Sequence, residues 1–95
     1  MDADSAETIA LSALAFLAEE PPRLGRFLAL TGVGPGELRT HARAPRILAA
    51  VLGHLLQDES LLLVFAATHD VAPELVAPAQ ALLEEQAAAE TENGA

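Results

Sequence analysis

Proline and glycine punctuate this chain so regularly that they dictate what it can fold into. Prolines stand at positions 21, 22, 35, 45 and 73, and Gly32 closes the segment before the third of them. Between these breaks run Ala- and Leu-rich stretches whose apolar residues recur at helical spacing. Proline has no N–H to donate and a fixed φ, so the first turn of a helix is where it costs least. Four of six expected helices begin at or beside a proline. The short connections between them make successive helices pack against one another. Ala and Leu favour helix, while Tyr and Trp are absent, so strand formers are scarce. The sequence therefore predicts an all-α fold: a single compact domain of five to six short helices in orthogonal or bundle-like packing.

The expected limits are a disordered start at 1–4, a helical domain over 5–88 and a disordered acidic tail at 89–95, where "AAAETENGA" has no large apolar residue. Asp4 or Ser5 is expected to cap the first helix. Its inward face is Ala6, Ile9, Ala10, Ala13, Leu14 and Leu17, with Phe16 at the edge. The second helix turns Leu24, Phe27 and Leu28 inward, and Val33 follows its glycine C-cap as an apolar contact. Pro35 opens a short third helix carrying Leu38. Pro45 opens a fourth with Ile47, Leu48, Val51, Leu52, Leu55 and Leu56 on one wide face. The fifth, "ESLLLVFAATH", is capped by Asp58 and apolar almost all round, the pattern of a central buried helix. The sixth starts at Pro73 with Leu75, Val76, Ala79, Leu82 and Leu83 inward, and Pro78 inside it predicts a bend or a loosened first turn.

Charge is distributed with a strong asymmetry. The net charge is −9, there is no Lys, and all five Arg lie between Arg23 and Arg46, where Glu37 is the one acid. That segment is +4 on an otherwise acidic chain. Arg23, Arg26, Arg39, Arg43 and Arg46 are the candidate partner-binding patch, because Arg forks recognise carboxylates and phosphates. Pairing of these Arg with the chain's own acids, Glu19, Glu20 and Glu37 being nearest, explains them equally well.

The stretch "RFLALTGVGPGELR" has the cadence of a helix-turn-helix, which makes a DNA-binding regulator using residues 26–43 the alternative reading. Its second helix would present Pro35, Gly36 and Glu37 to the bases. Gly36 has no side chain for a base edge and Glu37 repels phosphate, so the sequence argues against nucleic acid. "TGVGPGE" precedes a helix without a strand before it or the Lys-Ser/Thr pair of a phosphate loop. His41, His54 and His69 lie 13 and 15 apart, not at the spacing that places two ligands on one helix face. Ser5, Ser12 and Ser60 lack the surroundings of a nucleophile elbow, and Glu19-Glu20 and Glu84-Glu85 point about 100° apart on a helix. The expectation is no catalytic residue, no cofactor and no metal. There is no Cys, which excludes disulfides and thiolate sites. The longest apolar run, Leu61 to Ala67, is too short to span a membrane, and the acidic "MDADSAET" is unlike a secretory signal. A cytoplasmic setting is expected.

Three stretches carry a family likeness: "PPRLGRFLALTGVGPGELR", "LAAVLGHLLQDESLLLVFAA" and "VAPELVAPAQALL". Over residues 8–84 the chain resembles a family of small all-helical alphaproteobacterial proteins catalogued as a domain of unknown function. The shared features are the turn from Arg26 to Gly32, Leu38-Arg39, the Asp58-Glu59 step with Leu62 after it, and Pro73-Glu74. The resemblance implies a soluble bacterial protein and brings no activity, cofactor or catalytic residue with it. Where such proteins are expected to carry an Arg in the last helix, this chain has Pro78 and Gln80.

Together these features predict a non-catalytic interaction or regulatory module with a protein partner. The contact surface is expected in the Arg-bearing second-to-fourth helix region or in a groove beside the Leu-rich helices. Pairing of two copies of the chain is left open.

Overall fold

The computed structural model describes residues 1–93. Every element begins where local chemistry lets a helix start. In α1, Ala3–Ala18, the Asp2 carboxylate accepts from the Ser5 N–H at 2.8 Å, satisfying one of the unpaired donors of the first turn. The cap is therefore Asp2 and not Asp4 or Ser5, and the expected disordered stretch at 1–4 already holds the cap and the first helical residues. α2, Pro21–Thr31, α3, Pro35–His41, and α4, Pro45–Leu56, each open on proline. Gly32 closes α2 at φ 78°, and its N–H reaches the Leu28 carbonyl at 3.0 Å. This is the left-handed cap that glycine takes without steric cost.

The Asp58 carboxylate caps α5, Glu59–Thr68, by accepting from the Leu61 N–H at 3.1 Å. At the other end Asp70 sits at φ 54°, which lets the Val71 N–H return to the Ala66 carbonyl at 3.0 Å. A 3-10 turn at Pro73–Leu75 leads into α6, Val76–Asn93. Pro78 is the third residue of α6, where an N–H has no helical acceptor, so the looseness it causes is confined to that entry turn. α6 continues past residue 89, where the acidic tail was expected to begin. Residues 94 and 95 of that tail lie outside the described residues.

α1, α4 and α6 pack on one another and form the centre, with α2 laid against α1 and α4. Ala6, Ala10 and Ala13 are fully buried on α1 and let its neighbours approach closely. Ile47, Leu48, Val51, Leu52 and Leu55 of α4 fill the middle, and Val76, Ala79 and Leu83 of α6 close it. Phe16, expected at an edge, is among the largest fully buried side chains, together with Phe27 and Phe65. The radius of gyration is 12.6 Å, close to the ~12 Å of a compact domain of this length.

The expected central place of α5 fails, for a geometric reason. The molecule measures 38 × 30 × 18 Å, so it is about two helices thick. α5 meets α4 after a turn of 109° and lies at the periphery. It buries Phe65 and Ala66 only, and Leu63 and Val64 are 49% and 46% exposed. A two-layer slab has no third layer to cover the outer side of an all-round apolar helix. α3 contributes no buried residue, and its Leu38 is half-buried.

Candidate functional site

The outward side of α4 is a strip of small residues. Ala49, Ala50 and Gly53 follow Arg46 at helical spacing, and Gln57 ends the strip. From Arg46 to Gln57 it runs about 17 Å at 1.5 Å per residue. α6 walls one side with Gln80, Glu84 and Ala87, and Leu30 and Thr31 from the end of α2 form a lip. The result is an open trough of about 710 Å³. Its floor is low because the floor residues have little or no side chain. A Cβ on Gly53 would meet the Gln80 Nε2 at 3.6 Å, an ordinary contact. Leu30 is 64% exposed at the lip, the most exposed large apolar residue of the described chain.

His54 lies where this trough meets a second hollow of about 340 Å³ bordered by Arg26, Asp58 and Ser60. It is 8% exposed, and its Nε2 is buried without a hydrogen-bond partner. The ring stands edge-on to Phe27 with centroids 5.4 Å apart. Desolvation lowers its pKa below the ordinary imidazole value, the Arg26 charge lowers it further, and Asp58 opposes both. A buried polar atom left unpaired costs about 1–3 kcal/mol, and native structures keep few of them.

Three of the five Arg are paired with the chain's own acids. Arg23 lies 4.0 Å above the Phe16 ring, donates to the Phe16 carbonyl at 3.0 Å and pairs with Glu20 at 2.6 Å. It thereby closes the end of α1. Arg43 pairs with Glu7 at 2.9 Å, tying the loop before α4 to α1, and Arg46 pairs with Glu37. Among the described residues Arg26 and Arg39 have no carboxylate within ion-pair distance. Arg23 and Arg26 were expected to share a face. They diverge, Arg23 to α1 and Arg26 to the hollow beside His54.

The helix-turn-helix segment is occupied internally in the same way. Glu37 takes Arg46 and also accepts from the Gly34 N–H at 3.4 Å. The Arg46 hydrogen bond, with help from Gly34, holds its carboxyl below the usual carboxylate range. The adjacent Glu pair at the end of α1 splits, Glu20 to Arg23 and Glu19 to His69 at 2.9 Å. His69 also stacks on Phe65, with centroids 5.4 Å apart. His41 is on α3, His54 is buried in α4 and His69 follows α5. Among the described residues no three His, Cys, Asp or Glu side chains group as a metal site. The trough itself was legible only as a groove beside the Leu-rich helices. Gly53 in mid-helix beside Ala49 and Ala50 was its signal.

Fold and site define a class: a small all-α domain with an open, small-residue trough on one face of a two-layer slab. No single helix among the described residues is long and apolar enough to cross a membrane. The chain belongs to the family described as "Protein of unknown function (DUF3572)", which matches residues 3–86. No curated protein and no solved structure matches it.

Proposed function

We propose that this chain is a non-catalytic interaction module that receives an amphipathic helix of a partner protein in the trough between α4 and α6. The observation that carries this is the trough itself. A strip about 17 Å long, floored by Ala49, Ala50 and Gly53, matches roughly three helical turns. Small floor residues let a docked helix come close, since interaxial distance is set by the side chains at the contact. Recognition of this kind reads apolar residues at i, i+3, i+4 and i+7.

Charge narrows the partner. Among the described residues Arg26 has no carboxylate within ion-pair distance, though Asp58 and Glu59 border the same hollow, so an Asp or Glu at one end of the incoming helix would pair with it. Leu30 at the lip closes over the apolar side of that helix. The three Arg that are already paired leave little positive surface for nucleic acid, which weighs against the helix-turn-helix reading even though α3 is exposed. The setting we propose is a bacterial cell, on the Arg-only basic charge and Ala-rich composition.

The test is selection from a displayed library of helical peptides about 14 residues long. Enriched peptides should carry the i, i+3, i+4, i+7 apolar pattern with a terminal acid, and should shift the amide signals of residues 49–57 and 80–87. Gly53→Ala narrows the floor while favouring helix by about 1 kcal/mol, so it should weaken binding at least tenfold in a protein no less stable. Peptides that bind elsewhere, or that ignore Gly53→Ala and Leu30→Glu, overturn the reading.

A further inference from the structure

The hollow beside His54 brings opposite charges to one cavity without letting them meet. α2 contributes Arg26, and the start of α5 contributes Asp58 and Glu59. Elsewhere on this chain such groups close on each other, as Arg23, Arg43 and Arg46 do with Glu20, Glu7 and Glu37. Here Asp58 is held by its cap on the Leu61 N–H at 3.1 Å. Among the described residues neither Glu59 nor Arg26 has an ion-pair partner. His54 stands in the same wall, buried, with its Nε2 unpaired. From this arrangement we infer that the hollow binds a free α-amino acid with an apolar side chain, its carboxylate on Arg26 and its ammonium on Asp58 and Glu59.

The charges select the class of ligand. A bare anion such as phosphate would gain Arg26 and be repelled by two carboxylates. A bare cation would gain the carboxylates and be repelled by Arg26. Among the described residues no third ligating side chain joins Asp58 and Glu59 to make a metal site. A zwitterion satisfies both signs at once. The planar Arg fork takes a carboxylate through two parallel N–H···O bonds, and an ammonium has three donors to share between the two acids.

Size and surroundings narrow it further. The hollow measures about 340 Å³, at the lower end of the roughly 300–1,000 Å³ of small-molecule sites, which suits an amino acid better than a nucleotide-sized cofactor. Leu30, 64% exposed, borders it and offers the apolar side chain a surface to cover. His54 is held neutral by desolvation and by the Arg26 charge, against Asp58. It therefore adds polarity to the wall without adding a charge that would compete with Arg26 for the carboxylate. A buried titratable group at a cleft, perturbed by burial and by a named charge, is the pattern of a ligand site. The inference goes beyond the proposed function and does not rest on it, although Leu30, His54 and Gln57 border both cavities.

Titration of the isotope-labelled full chain with free leucine, followed by NMR, tests this. We expect saturable binding with a Kd of about 1 mM or tighter, with shifts at the amides of residues 26, 30 and 58–60 and at the His54 ring. Leucinamide lacks the carboxylate and N-acetylleucine lacks the ammonium, so each should bind at least tenfold more weakly. Arg26→Gln and Glu59→Gln, both at exposed positions, should each weaken leucine binding at least fivefold with unchanged melting temperature. Arg26→Gln should leave the affinity for leucinamide as it was, which ties Arg26 to the carboxylate. Gly53→Ala should leave leucine binding unchanged while it weakens helix binding in the trough, so the two readings fail separately. No saturable shift with leucine up to about 20 mM, equal binding of the three compounds, or either Gln variant without effect overturns the inference.

Discussion

His54 shows how one residue can cost the fold stability. Its Nε2 is buried and unpaired beside Phe27, and burial, with Arg26, lowers its pKa. The folded state therefore favours neutral imidazole, and the unfolded chain takes up its proton near the ordinary value of about 6.5. Stability from this group is present above that pH and is lost as pH falls toward the lowered folded value. His54→Leu removes both the orphan and the titration. It should raise stability at pH 7 by about 1 kcal/mol, and the gap from the unaltered chain should widen between pH 6.5 and 5. Thermal melts of the two proteins across that range check this, since His41 and His69 are common to both and cancel. A constant gap would mean that His54 is solvated in the folded protein. Arg23 is the opposite case, a charged residue spent wholly on the fold through the Phe16 ring and carbonyl.

At the scale of the element, the proline breaks, the Gly32 cap, the Asp58 cap and the apolar face of α4 were legible because each is a local rule with a local cause. Apart from the Asp2 cap and the extents of α1 and α6, the misreadings concern which side of a helix meets another. Phe16 lies on the flank of the α1 periodicity, yet it becomes core because Phe65 and His69 of the α5 region come to it, with centroids at 5.5 and 5.7 Å. The sequence pattern of α5 cannot distinguish a helix covered on all sides from one whose outer face meets solvent. The trough was faint for the same reason, since Gly53 reads as a helix weakness until α6 is placed opposite it. α2 offers a clean check on element stability. Gly25 is exposed in mid-helix, and a Cβ there meets nothing within 4 Å. Gly25→Ala should therefore stabilise the domain by about 0.5–1 kcal/mol through helix propensity alone. Urea unfolding measures it, and a loss of stability would mean that α2 is packed more tightly there than the open space allows.

For the whole molecule, the decisive quantity is how much positive charge stays free on a chain of net −9. The Arg-rich segment looked like +4 in sequence, but folding pairs Arg23, Arg43 and Arg46 with Glu20, Glu7 and Glu37. Arg26 and Arg39 are left, and they sit on different helices. Affinity for duplex DNA rests on counterions released by neutralised phosphates, with a log–log salt slope of about −0.9 per contact. Two Arg could supply a slope of at most about −2, against the repulsion of the surrounding carboxylates. α3 is exposed enough to enter a groove, but its first turn offers Pro35, Gly36 and an internally paired Glu37. Random duplex titrated with the chain at about 20 mM salt should therefore give no saturable binding. A slope of about −4 or steeper would require four or more phosphates in contact, and hence ion pairs that open in solution to expose the Arg they now hold.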